Sequence, residues 1–325
     1  MDAKEDLILK NIVCALALPP EFLEGIRLAA PEYNVIAGRA KELDRDIFRQ
    51  AEVIFGWSPA IIEECLHDDS PLRWIQLWTA GADYVPMDTL RKHDVMLTTA
   101  GGVHPVPMME TVFAMLLGFT RNLPQAIRNQ DRHVWDSKGN YTELLGKTMG
   151  IIGIGQIGAE VARIAKAFGM RVLGVRRSVQ PTDYVDGLYT FEQLNEVLSE
   201  CDVVVNILPK TSQTINLYDE NRFAAMKQGA LFINVGRGAS VKTDALIGAL
   251  NSGHLAGAGL DVFDIEPLPE DHPLWSMDNV IMTPHIGGNT DQLKERATKL
   301  FIENLKAYIA QGRPARSIVD YDKEY

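Results

Sequence analysis

The sequence predicts an α/β protein with two doubly wound parallel-sheet domains. Short apolar runs alternate with amphipathic helical patterns, as strands wrapped by crossover helices do. The alternation comes as two series, separated by one long apolar helix. The length of 325 residues suits two compact domains of similar size, at roughly 100–200 residues each.

In the first series Ile12–Leu18, Tyr33–Gly38, Glu52–Trp57, Trp74–Trp78 and Val95–Thr99 read as strands. Between them Glu21–Ala30, Asp44–Gln50, Ala60–Leu66 and Asp88–Lys92 read as helices. After Thr99 a Gly-Gly turn leads past Pro105 and Pro107 into Met108–Asn129. There Met109, Val112, Phe113, Leu116, Leu117 and Leu123 recur at helical spacing, and an interruption is expected near Pro124. The second series opens at Thr148. Its runs Met149–Ile154, Arg171–Val175, Val203–Leu208, Ala230–Val235, Gly257–Val262 and Val280–Thr283 are bounded by Gly, Pro or Asn, with helix-like stretches such as Phe191–Glu200 between them. Asn289–Gln311 is a last amphipathic helix (Leu293, Ala297, Leu300, Phe301, Leu305, Tyr308), stopped by Gly312 and Pro314. If it returns to the first series, the domains are 1–100 with 289–325, and 101–288 including the linker helix. A cleft between two such domains is where a cofactor and a small substrate usually meet.

Composition removes several function classes. Thirty-two basic residues against 43 acidic ones leave a net charge of −11 and no domain-wide basic face for a nucleic acid. The longest apolar runs, Ile12–Leu18 and Val112–Phe119, fall short of the roughly 20 residues that cross a bilayer. Asp2, Glu5 and Asp6 stand where a secretory signal would be basic. Cys14, Cys65 and Cys201, with no CxxC, fit a reducing, cytoplasmic compartment, and no metal is expected.

The sharpest motif is Gly153-Ile154-Gly155-Gln156-Ile157-Gly158, directly after a strand and opening the helix Gln156–Phe168. In that setting the first glycine permits the tight turn, the second lets backbone approach a pyrophosphate, and the third lets helix pack on strand. The helix N-terminus adds N–H donors and partial positive charge. About 20 residues on, where an NAD site places a carboxylate for the ribose 2′-OH, the chain reads Val175-Arg176-Arg177-Ser178. Two guanidiniums and a hydroxyl suit the 2′-phosphate of NADP(H). The alternative is that both arginines are solvated and NAD(H) is accepted less selectively.

Three further segments follow predicted strands: Asn234-Val235-Gly236-Arg237-Gly238, Gly259-Leu260-Asp261-Val262-Phe263-Asp264-Ile265-Glu266-Pro267-Leu268-Pro269, and Thr283-Pro284-His285-Ile286-Gly287-Gly288. Such positions converge on the ligand crevice of a parallel sheet. Arg237, Glu266 and His285 form a candidate catalytic set, although each alone has a structural reading as a surface bridge, a turn cap or an ordinary histidine.

Together, in this order and spacing, these segments resemble the D-isomer-specific 2-hydroxyacid dehydrogenase family over nearly the whole chain. The resemblance implies a flavodoxin-like substrate domain and a Rossmann dinucleotide-binding domain. It implies that Arg237 grips the substrate's carboxylate and carbonyl oxygen, that His285 donates the proton when hydride arrives, and that Glu266 favours the imidazolium. Backbone N–H groups of Ala80 and Gly81 would hold the carboxylate. Trp78 would line the pocket or belong to the core. Asp261 corresponds to a nicotinamide-carboxamide contact, and Leu208, Pro209, Val235 and Gly288 to segments near the cofactor. Arg176 in the usual acidic place resembles the NADPH-using glyoxylate and hydroxypyruvate reductases, and Glu266 argues against a formate dehydrogenase. Thr111 stands where many members have histidine, a change expected to concern interdomain or dimer packing. The stretch Arg121–Asn140 resembles the arm through which members form homodimers, and its Trp135 either reaches a neighbouring substrate site or packs only at the interface.

The leading expectation is an NADPH-preferring reductase of a small 2-oxo acid giving the D-2-hydroxy acid. An NAD-linked D-2-hydroxyacid dehydrogenase for a bulkier substrate, or a dinucleotide-sensing protein resembling transcriptional corepressors, are the alternatives.

Overall fold

The computed structural model describes residues 10–67, 69–178 and 180–324; the acidic stretch with Asp2, Glu5 and Asp6 lies outside them. The chain divides into two compact units, one running to Val103 and resuming at Thr290, the other His104–Asn289.

The first unit holds β1 (Lys10–Cys14), α1 (Pro20–Ala29), β2 (Tyr33–Ala37), α2 (Arg45–Arg49), β3 (Ala51–Phe55), α3 (Pro59–Cys65), β4 (Trp74–Gln76), α4 (Met87–Lys92) and β5 (Met96–Thr98). Its strands form one parallel sheet in the order β2-β1-β3-β4-β5. The order reverses between β1 and β3, the switch point of a flavodoxin-like sheet. Neighbours on one strand enter different cores: Ile12, Cys14, Val53 and Phe55 one, Val13 and Ile54 the other. The sheet is therefore buried on both faces, which is why its strands read as continuous apolar runs rather than alternating ones. β1 and β4 end before their predicted limits because Leu16, Leu77 and Trp78 belong to strand-end loops. Asp44 is the N-cap of α2, its carboxylate accepting from Asp46 N at 3.1 Å.

The second unit opens with α5 (Pro105–Thr120), which begins before the expected Met108 because proline is tolerated in a first turn. Asn122, left-handed at φ 53°, ends that helix; α6 (Leu123–Asp131) follows, so the break precedes Pro124. Then come β6 (Thr148–Ile152), α7 (Gln156–Ala167), β7 (Arg171–Val175), β8 (Gly187–Tyr189), α8 (Leu194–Glu200), β9 (Val203–Asn206), α9 (Glu220–Ala225), β10 (Ala230–Asn234), α10 (Thr243–Asn251), β11 (Leu255–Leu260) and β12 (Val280–Met282). All seven strands are parallel, in the order β12-β11-β10-β9-β6-β7-β8. This is the Rossmann order with an added edge strand. β8 is absent from the predicted strands: it is three residues long and half-buried at the sheet edge, with little apolar signal. Phe191–Glu200 divides into a 3₁₀ turn, Phe191–Gln193, and α8.

The last helix, α11 (Leu293–Gln311), packs on the first unit's sheet. Gly312, left-handed at φ 73°, stops it.

Candidate active site

The glycine turn sits between β6 and α7. Gly153 has φ +94°, and a Cβ there would lie 2.9 Å from Leu208 Cδ2 and 3.1 Å from Ile207 C. At Gly158 a Cβ would press on Ile151 and Ile154 at 3.1 Å, so helix packs closely on strand. Gly155, the N-cap of α7, faces open space: a Cβ would meet nothing within 4 Å. Gln156, Ile157 and Gly158 form the first turn of α7, whose N–H groups have no partner within the helix.

Arg176 follows β7, half-buried, while Arg177 and Ser178 are exposed. Arg176 Nη1 reaches Thr182 Oγ1 at 3.5 Å and Arg177 Nη2 reaches Gln213 Oε1 at 3.4 Å, both at the far end of hydrogen-bond range. No carboxylate occupies the segment 176–178.

Arg237 lies just past β10, half-buried, with Nη1 donating to Gly236 O at 2.9 Å. Its flanking glycines are sterically required. A Cβ at Gly236 would sit 2.6 Å from Leu208 O, and one at Gly238 only 1.9 Å from Phe263 C. The segment 236–238 is thus wedged between the loops after β9 and β11. Leu208 is buried and makes the close backbone approach to Gly236, and Val235, also buried, donates its N–H to Asn206 O at 3.1 Å; Pro209 O accepts from Thr214 Oγ1 at 2.7 Å.

His285 Nδ1 donates to Glu266 Oε2 at 2.7 Å, while Glu266 Oε1 accepts from Phe263 N at 2.8 Å. The glutamate is held from both ends, and the imidazole takes its orientation from it. His285 itself has φ +54°, an unusual conformation for a non-glycine residue. Asp261 explains how that loop is held. Buried at the end of β11, its carboxylate accepts from Thr283 Oγ1 (2.6 Å), Ile286 N (2.9 Å) and Gly287 N (3.0 Å), and its carbonyl accepts from His285 N (2.8 Å). A Cβ at Gly288 would touch His104 Cδ2 at 3.0 Å. Thr111 of α5 donates to Gly287 O at 3.2 Å, so within the second unit this hydroxyl braces the histidine loop.

In the first unit Trp78 stacks at a tilt on Phe55, ring centroids 5.3 Å apart. Ala80 is exposed and Gly81 half-buried. Thr79 shapes their loop, its hydroxyl donating to Gly81 O at 2.8 Å and sharing a 2.6 Å hydrogen bond with Tyr84. Beneath it Gln76 Nε2 donates to Leu77 O and Thr99 O.

Sequence reasoning singled out Arg237, Glu266 and His285, and the structure joins the last two directly. It missed Asn206, Ser240 and Thr283, which hold those loops from below. The one signal was a polar Asn within the apolar run Val203–Leu208. The cysteines supply no nucleophile. Cys14, Cys65 and Cys201 are buried, and burial pushes each thiol up to about 12.

A parallel sheet with a glycine turn at its central crossover and an acid–histidine pair at neighbouring strand ends defines a nicotinamide-dependent oxidoreductase. The family model for the D-isomer specific 2-hydroxyacid dehydrogenase NAD binding domain matches residues 113–287. The chain is 32% identical over 299 residues to the glyoxylate reductase of Pyrococcus horikoshii, covering 87% of this chain and 89% of that one. It is 30% identical over 293 residues, 89% of this chain, to the D-3-phosphoglycerate dehydrogenase of Methanocaldococcus jannaschii, of whose length it spans 55%. Among solved structures it is similar to the NADPH-dependent glyoxylate/hydroxypyruvate reductase of Sinorhizobium meliloti in complex with NADP and sulfate: TM-score 0.80, 28% identity, 97% of this chain and 100% of that one. The chain belongs to the D-isomer specific 2-hydroxyacid dehydrogenase family, oxidoreductases that act on CH–OH donors. Among the described residues no helix is long and apolar enough to cross a membrane.

Proposed function

We propose that this protein reduces a small 2-oxo acid of the glyoxylate or hydroxypyruvate type to the D-2-hydroxy acid, preferring NADPH to NADH. The observation that carries the reading is the 2.7 Å hydrogen bond between Glu266 and His285, with Arg237 three residues past the adjoining strand of the same sheet. The glyoxylate reductases among the relatives support the substrate class.

The residues fit a dinucleotide. The open space at Gly155, the positive φ of Gly153 and the close packing of Gly158 leave a cradle that a side chain would fill. Gly153, Gly155, Gln156, Ile157 and Gly158 would take the pyrophosphate on backbone N–H groups, and Leu208, Pro209, Val235, Asp261 and Gly288 would border the rest. Arg176, Arg177 and Ser178 would take the 2′-phosphate, since two guanidiniums and a hydroxyl can offer it charge-assisted hydrogen bonds. A reduced nicotinamide bound there supplies the hydride.

The chain's own residues manage the rest. With Nδ1 engaged by Glu266, His285 presents Nε2 as the atom that transfers the proton. Arg237 pairs with the 2-oxo acid's carboxylate and polarises its carbonyl. Within the first unit, Ala80 and Gly81 carry backbone N–H groups and small side chains suited to a carboxylate, and Trp78 backs their loop. The unit that resumes at Thr290 serves as substrate domain and His104–Asn289 as dinucleotide domain. Leu123, Ile127 and Val134 are exposed and Trp135 is 100% exposed, which supports a homodimer joined through the arm Arg121–Asn140.

The test is consumption of NADPH and NADH with glyoxylate, hydroxypyruvate, pyruvate and phenylpyruvate. Turnover is expected with glyoxylate and hydroxypyruvate, with kcat/KM for NADPH at least about tenfold above NADH. His285→Ala should keep dinucleotide binding and lose about 10²–10⁴-fold in kcat. Tight dinucleotide binding without turnover of any 2-oxo acid would discard the reductase in favour of a dinucleotide sensor.

A further inference from the structure

Two buried polar residues have no part in the chemistry above. Asn206, the last residue of β9, is 0% exposed, and Ser240, in the 3₁₀ turn Gly238–Ser240, is 1% exposed. Asn206 Nδ2 donates both its protons, to Asn234 Oδ1 at 2.9 Å and to Ser240 Oγ at 2.8 Å. Ser240 Oγ then donates to the carbonyl of Arg237 at 2.7 Å. The same carbonyl accepts from Asn234 Nδ2 at 3.3 Å, and Asn234 Oδ1 accepts from Gly236 N at 3.1 Å.

The directions are determined. A hydroxyl has one proton, and because Ser240 gives its own to Arg237, it must accept from Asn206. An apolar residue at 206 would leave both Asn234 Oδ1 and Ser240 Oγ without that donor. Steric contacts at Gly236 and Gly238 stop the segment from sliding, but they do not fix the rotation of the peptide plane between them. The hydrogen bonds to Arg237 O do, from the Ser240 hydroxyl at 2.7 Å and Asn234 Nδ2 at 3.3 Å together with the backbone N–H of Ser240 at 3.2 Å, and the plane's rotation sets the direction in which the arginine side chain leaves the backbone.

We propose that Asn206 and Ser240 are positioning residues for Arg237, holding its peptide plane so that the guanidinium meets the 2-oxo acid's carboxylate. This rests on the proposed reductase reading, in which Arg237 binds that carboxylate. Neither side chain touches substrate, so neither is a catalytic residue; each acts through Arg237.

Ser240→Ala removes the hydroxyl with little change of volume, and Ser240→Cys keeps a weaker donor. The measurements are KM and kcat for the 2-oxo acid, the Ki of oxamate as a non-reacting carboxylate analogue, and the Kd of NADPH by fluorescence titration. Ser240→Ala should raise KM and the oxamate Ki together, by at least about tenfold, with Ser240→Cys in between and NADPH affinity within about twofold of wild type. If Ser240→Ala does not fold, Ser240→Cys carries the same comparison. Unchanged KM and Ki in a folded variant would overturn the assignment. So would an NADPH Kd that rises in step with KM, because that pattern means general loosening of the sheet's ligand edge. A wild-type protein that turns over no 2-oxo acid overturns the reductase reading and this inference with it, and shows itself before any variant is measured.

Discussion

Arg176 and His285 are decided by what lies within one hydrogen bond of each. His285 is held by the Glu266 carboxylate at 2.7 Å, and its identity as a candidate was legible because it is a polar residue just after a predicted strand. Asn206 showed only as a polar residue in an apolar run, and Ser240 was not legible at all. Their partners are 28 and 34 residues apart in sequence, so no local pattern joins them, and a buried Asn differs from a solvated one only once the sheet has formed. Arg176 was legible by the absence of a carboxylate in the segment that follows β7. If it selects the 2′-phosphate, Arg176→Asp removes one charge-assisted contact, about 1.5–3 kcal/mol, and adds repulsion. The ratio of kcat/KM for NADPH over NADH should fall by about tenfold or more. A ratio unchanged from wild type would show that Arg176 does not select the 2′-phosphate.

At the scale of elements, most strands and helices could be read because a sheet buried on both faces demands long apolar runs, and the crossover helices between them are amphipathic. The discrepancies have separate causes. The edge strand β8 buries too little to leave a pattern, and α5 starts at Pro105 because a proline's missing N–H costs nothing in the first turn. What sequence could not show is how closely the strand-end loops press together. Gly238 is the extreme case: a Cβ would fall 1.9 Å from Phe263 C, a backbone atom that cannot swing away. Gly238→Ala must therefore push apart the loops carrying Arg237 and Glu266. A loss of about 10²-fold in kcat/KM is expected, as for misplacement of catalytic groups by about 1 Å, together with a lower Tm. Gly248, inside α10, has nothing within 4 Å of its added Cβ. Gly248→Ala should keep full activity and gain up to about 1 kcal/mol in stability from helix propensity. Steady-state kinetics and thermal melts of the pair separate the two cases, and a fully active Gly238→Ala would sink the steric argument.

The whole molecule is shaped by a chain that leaves its first unit at Val103 and resumes it at Thr290. Periodicity shows that Asn289–Gln311 buries one face, but not which sheet receives it; that follows from shape and polar matching spread across the chain. Phe301 stacks on Phe55 with centroids 4.3 Å apart, Asn304 Nδ2 donates to Gln76 Oε1 at 2.9 Å, and Tyr308 donates to the buried Glu52 at 2.9 Å. Burial and that bond to Glu52 push the Tyr308 phenol above its ordinary range, so it stays a donor. The core of the first unit thus depends on contacts more than 200 residues apart, and its ordering pays the loop-closure entropy of everything between. Phe301→Ala should cost about 3–5 kcal/mol in denaturant unfolding, through lost burial and the cavity left against Phe55 and Trp74. The residues proposed to hold the dinucleotide all belong to His104–Asn289, so under native conditions the Kd of NADPH should stay within about twofold of wild type. If the Kd instead weakens in proportion to the stability lost, the two units fold as one cooperative body, and the dinucleotide site is not formed by its own unit alone.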